Sequence, residues 1–195
     1  LGGGDDITLN GVVISGYGLG LAMTGGDLHL GSSATGVTTI IGDSTAVEVT
    51  NVDVTSSGAT VAANGTYGVG LDVVSESGKH TLDLTGLNSN AAIGVLADGH
   101  EEFRWNGGVA MGHTALKAIG GASGTIENMS GIYNYNPPLY GQMDIPLAWE
   151  TTYSCYDAST SYVQNNSGSC GGIATQINAG PYSTVTSIGN GVLNN

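Results

Sequence analysis

Thr66-Tyr67-Gly68-Val69-Gly70-Leu71-Asp72-Val73-Val74-Ser75-Glu76-Ser77-Gly78-Lys79-His80-Thr81-Leu82-Asp83-Leu84 alternates apolar with small or polar residues, turns, and alternates again. Val69, Leu71 and Val73 lie two apart, as do Leu82 and Leu84 after Ser75-Glu76-Ser77-Gly78. Period 2 places every second side chain on one face, which is the signature of a strand. The same form recurs in both directions along the chain. Leu19-Gly20-Leu21, Val47-Glu48-Val49, Val69-Gly70-Leu71, Ile93-Gly94-Val95 and a looser Leu116-Lys117-Ala118 have middle residues 28, 22, 24 and 23 positions apart. A second alternating run trails each copy: Leu28-His29-Leu30, Val52-Asp53-Val54, Leu82-Asp83-Leu84, Phe103-Arg104-Trp105 and a weaker one from Ile126 to Met129.

Period 2 within runs and about 23 between them predicts stacked coils of two or three strands each. The expected fold is all-β, a parallel β-helix or β-solenoid of about five coils of 22–28 residues. Inward side chains then stack on their equivalents in the next coil, which calls for Val, Ile and Leu there and Gly at tight corners. A sandwich of hairpins shares the alternation but predicts frequent two-residue turns and no such long period.

Composition agrees. Of 195 residues 34 are Gly, 40% are hydrophobic and 10% charged, which argues against both a helical fold and disorder. The formal charge of −13 excludes nucleic acid and anionic membrane surfaces as partners, because phosphates need basic side chains and only Lys79, Arg104 and Lys117 exist. No apolar run approaches the roughly 20 residues of a spanning helix, so membrane insertion is not expected. The first residue is Leu1, which reads as a processed product or a fragment.

The character changes near residue 131. All four prolines, both cysteines and seven of nine tyrosines lie beyond it, whereas 13 of 16 acids lie before it. Residues 1–131 read as the solenoid body and 132–195 as a Tyr/Pro-rich capping or inter-subunit segment. Tyr133, Tyr135, Tyr140, Trp149 and Tyr182 are its expected assembly residues. Cys155 and Cys170 flank a polar loop with no second Cys pair or nearby His for zinc, so a disulfide is favoured over two free thiols. Such a loop closure contributes about 3 kcal/mol in the chain-entropy account.

The stretch Val12 to Gly131, through segments such as TYGVGLDVVSESGKHTLDL, resembles the passenger regions of autotransporter adhesins and other parallel β-helix surface proteins. The resemblance implies a fold type and an extracellular or cell-surface setting, and no particular active residue. In bulk character the chain also resembles the resistant, amyloid-like sheath or fibre proteins of microbial envelopes, including those of filamentous methanogens. Low charge density, abundant strand-forming segments and few gatekeeping lysines point to a non-catalytic, self-assembling structural subunit of an extracellular sheath, fibre or surface layer, whose partners are other copies of itself. An adhesin-like module for glycan or a host surface is the alternative, and a carbohydrate-active β-helix enzyme the third reading.

Candidate chemistry is sparse. Asp98, His100 and Glu102 share one face of an extended segment and could hold a divalent cation or move a proton, but an acidic turn between coils is the favoured reading, because alternation puts Phe103 and Trp105 on the opposite face. Asp53, Asp72 and Asp83 lie in or beside strands and could stack coil on coil, which leaves room for Ca2+, although the calcium nonapeptide repeat is missing. Asp5-Asp6 is a paired carboxylate that nothing in the sequence connects to Asp27, Asp43 or Asp53. Asn64, Asn128 and Asn165 satisfy the glycosylation sequon. No nucleophile elbow, phosphate loop or zinc helix motif is present, so no catalytic residue and no cofactor are assigned.

Overall fold

The computed structural model describes residues 4–112, 114–129, 131–134, 157–158, 161–165, 177–179, 184–188 and 192–193, with side chains up to residue 129 apart from residue 113. In chain order the strands wind as coils. β1 (Ile7–Asn10), β2 (Val13–Ser15) and β3 (Leu19–Thr24) make the first. β4 (Asp27–Ser33), β5 (Gly36–Val37), β6 (Thr39–Gly42) and β7 (Thr45–Thr50) make the second. β8 (Asp53–Ser57), β9 (Thr60–Ala63) and β10 (Val69–Thr85) follow, then β11 (Asn88–Asn90), β12 (Ile93–Asn106), β13 (Val109–Gly112) and β14 (Thr114–Ile119). β15 (Ser123–Glu127) and β16 (Gly131–Asn134) continue the path, and β17 (Asp157–Ala158), β18 (Ser161–Asn165), β19 (Ile177–Ala179), β20 (Thr184–Ile188) and β21 (Val192–Leu193) complete the order.

The chain forms a parallel β-solenoid of about five turns, with no helix among the described residues. Three ladders give it three faces. Face A runs β1-β4-β8-β10-β12-β15-β20, face B runs β2-β6-β9-β11-β13-β16-β21, and face C runs β3-β7-β10-β12-β14-β19. β10 and β12 belong to two faces because each runs through the corner between C and A, β10 with a register shift between Ser75 and His80. Beyond residue 131, β16, β19, β20 and β21 pair in parallel with β13, β14, β15 and β16, and so extend all three ladders.

On face A the in-register equivalents are Ile7, Leu28, Val54, Leu82, Phe103 and Gly124, so successive coils take 21, 26, 28, 21 and 21 residues. The longest of these carries the Glu76–Lys79 corner. On face C the true column is Leu21, Val47, Leu71, Val95 and Leu116. Two of the copies aligned from sequence are therefore displaced by two residues: Thr45-Ala46-Val47 and Thr114-Ala115-Leu116 occupy the places expected for Val47-Glu48-Val49 and Leu116-Lys117-Ala118. A slip of two keeps the same side chains facing inward, so the alternation alone could not detect it.

Inward columns fill the interior. Leu28, Val54, Leu82 and Phe103 stack through successive coils, with Leu30, Ser56, Leu84, Trp105 and Ile126 beside them, all buried. Each fully buried aliphatic side chain contributes about 1.5–3 kcal/mol relative to exposure. Trp105 satisfies its indole by donating Nε1–H to the Leu87 carbonyl at 3.2 Å. Where face B turns into face C the column is Gly20, Ala46, Gly70, Gly94 and Ala115, and a Cβ on Gly70 would meet the Gly94 carbonyl oxygen at 2.6 Å and Ser89 Oγ at 2.9 Å. The corner from A to B repeats one left-handed residue at Gly11, Gly58, Gly86, Gly107 and Asn128, with φ of 67, 83, 65, 72 and 52. Gly and Asn are the residues that take this conformation at least cost.

Candidate functional site

Three surfaces carry the features available for function: the first rung, the outer side of face A, and the corner between C and A. Among the described residues β1, β2 and β3 each pair on one side only, with β4, β6 and β7. Ile7, Leu9, Ile14 and Leu21 pack down onto the core and remain half-buried, and Val13 is 71% exposed. The rung thus presents a ring of strand edges around an apolar centre.

The outer side of face A is polar and ordered in rows. Asp27 and Asp53 are in register, Asp6 precedes Ile7 in the strand paired with Leu28, and Thr81 and Glu102 continue the row. The next row is Thr8, His29, Thr55, Asp83, Arg104 and Thr125. Two shallow depressions of about 380 and 390 Å³ lie along these rows and share Thr81. Sequence reasoning left Asp6, Asp27 and Asp53 unconnected; the coil register aligns them. Cross-coil bonds tie the face together. Asp53 Oδ1 accepts from Thr81 N at 2.6 Å and from Thr81 Oγ1 at 3.1 Å, and His29 Nδ1 lies 2.7 Å from Thr55 Oγ1. Lys79 pairs with Glu102 at 2.7 Å and Arg104 with Glu127 at 2.6 Å. Each of these exposed pairs contributes at most about 1 kcal/mol, but both join consecutive coils.

At the corner from C to A the expected trio separates by burial. Asp98 is half-buried, His100 and Glu102 are exposed, and Phe103 and Trp105 face the interior. Their buried neighbour is Glu101, 1% exposed, which the alternation from Phe103 places inward and which sequence reasoning passed over. Among the described residues neither Glu101 carboxylate oxygen has a well-formed hydrogen bond; the nearby Ser75 Oγ and one Asp72 oxygen are likewise buried without one. Burial raises the Glu101 pKa above the usual carboxylate range, partly offset by Ser75. Asp72, in register with Glu48, is pushed up to about 6, first by burial and then by the charges of Glu48, Asp98 and Glu101. Among the described residues no three His, Cys, Asp or Glu side chains gather closely enough to hold a metal ion.

Of the sequons, Asn64 is exposed at the corner after β9 and donates its backbone N–H to Gly42 O at 3.0 Å. Asn128 holds a left-handed corner and donates Nδ2–H to Asn106 Oδ1 at 3.0 Å. Asn165 ends β18. Tyr133 lies in β16, in register with Met111 and Leu193. Tyr135, Tyr140, Trp149, Tyr182, Cys155 and Cys170 lie outside the described residues, and with them the pairing expected for the two cysteines.

The class that fold and surfaces define is the parallel β-solenoid. Within that class no relative marks the chain out: no family model, no curated protein and no solved structure matches it.

Proposed function

We propose that the protein is a self-assembling structural subunit of an extracellular sheath, fibre or surface layer, and that copies join by stacking coil on coil. The observation that carries the reading is the first rung, where three strands, each paired on one side only among the described residues, surround half-buried Ile7, Leu9, Ile14 and Leu21. Unpaired N–H and C=O groups beside apolar side chains favour pairing with another strand over hydration. A rung from a second copy satisfies all three edges together. Because the two joined surfaces differ, repetition generates an open filament or a ring. Few gatekeeping lysines stand in the way, since the chain has only three basic residues.

Ile14→Lys tests this reading. In a single chain the new ammonium group sits at an open end and reaches water, whereas in a stacked pair it is buried under the next coil. The expected result is a wild-type chain that polymerises by light scattering and electron microscopy, and a variant with the same circular dichroism that stays monomeric. A wild-type chain that is monodisperse at every ionic strength overturns the proposal.

A further inference from the structure

Tyr17-Gly18-Leu19-Gly20-Leu21 and Tyr67-Gly68-Val69-Gly70-Leu71 share a pattern whose first residue the fold leaves unused. Gly18 adopts a φ of 80, Gly20 and Gly70 lie where a Cβ would strike the next coil, and Leu21 and Leu71 face the core. The two tyrosines do none of this. Tyr17 is 100% and Tyr67 60% exposed. Leu19 and Val69 flank Thr45 in register from either side, and each tyrosine stands two residues ahead of its partner. Both therefore leave the same corner two coils apart, about 9.6 Å at ordinary strand spacing. Asp43 and Ser44 occupy this corner in the coil between them, and Asn64 and Thr66 lie beside Tyr67, all exposed.

We propose that this corner is a binding ridge for a neutral, extended polysaccharide of β-linked pyranose sugars, with Tyr17 and Tyr67 stacking on alternate rings and Asp43 and Asn64 bonding the hydroxyls between them. An aromatic face is electron-rich, and the axial C–H groups on one face of a pyranose are its complement. In an extended, equatorially linked chain every second sugar presents the same face, at a repeat close to two coils. A coiled, α-linked chain offers no such repeat. Charge selects in the same direction. Lys79 lies at the corner between C and A, Arg104 on face A and Lys117 on face C, so among the described residues no Lys or Arg side chain stands beside Tyr17 and Tyr67 to receive phosphate, sulfate or an acidic peptide. A second copy carries its own charge of −13, which opposes its approach to Asp43. Tyr17 lies in the first rung between β2 and β3, but the ridge uses its exposed ring and not the strand edges, so loss of sugar binding in the alanine variants and loss of polymerisation in Ile14→Lys are separate outcomes.

The test is isothermal titration of the full chain with cellohexaose, chitohexaose and maltohexaose. At least one β-linked hexaose is expected to bind about 10-fold more tightly than maltohexaose, with Tyr17→Ala and Tyr67→Ala each weakening it by about 10-fold or more. Tyr17→Phe and Tyr67→Phe keep the ring and should retain binding. Because both side chains are exposed, all four variants should give the wild-type circular dichroism. Absence of binding to both β-linked hexaoses overturns the proposal, as does equal binding of maltohexaose or wild-type affinity in both alanine variants.

Discussion

Asp72 shows how a single carboxylate couples this fold to pH. Its pKa rises on folding from 3.8 to about 6, so the folded chain holds a proton that the unfolded chain releases between those values. Its stabilisation is complete below pH 3.8 and is lost as the pH rises through about 6. After allowance for solvent screening of a half-exposed side chain the loss is about 1 kcal/mol. Urea denaturation should therefore show wild-type stability falling over this range, and Asp72→Asn should flatten the fall and gain about 1 kcal/mol at pH 7. Gly70 gives a steric counterpart. A methyl group there meets the Gly94 carbonyl oxygen at 2.6 Å and Val61 Cγ2 at 3.1 Å, and neither is the free end of a flexible side chain. Gly70→Ala is expected to cost about 1–3 kcal/mol in the same denaturation experiment.

At the scale of elements, corners do as much as strands. Asn51 holds φ 55, and its Oδ1 accepts the backbone N–H groups of Glu76 at 2.9 Å and Ser77 at 3.1 Å, fixing the protruding corner of β10 onto the coil below. Asn51→Ala removes both bonds and leaves a left-handed alanine, an expected loss of about 2–3 kcal/mol. Faster amide exchange at Glu76 and Ser77 would locate that loss. The strands themselves were legible in the sequence because inward columns must be apolar at period 2, and Val69 to Val73 and Leu82 to Leu84 say so directly. The coil length was legible too, though not the pairing of every copy, since Thr45-Ala46-Val47 and Val47-Glu48-Val49 bury the same faces. Glu101 was missed for a related reason. A carboxylate beside His100 and Glu102 reads as solvated, and its inward orientation emerges only when the alternation is carried back from Trp105 through Phe103. The alignment of Asp6, Asp27 and Asp53 depends on coils of 21 and 26 residues, which no local pattern encodes.

For the whole molecule, the formal charge of −13 opposes any union of two copies. Screening of that repulsion makes the proposed stacking salt-dependent, with a Debye length of about 10 Å at 0.1 M and about 3 Å at 1 M. Polymer formation by light scattering should accelerate as sodium chloride rises across this range, and a rate that falls with salt would point to attraction between charged groups instead. The ladders also decide how the body carries load. Their hydrogen bonds run roughly along the long axis, so a tensile pull falls on every bond joining one coil to the next. The joint between the coils of β11 and β13 is uneven. Face B contributes two residue pairs there, Ser89 with Ala110 and Asn90 with Met111, whereas β12 meets β14 over five. On the opposite side β10 and β12 climb from one coil to the next through unbroken backbone at the corner between C and A. Under bending, the stack opens as a book does, parting first along face B while the β10 and β12 corner serves as its spine.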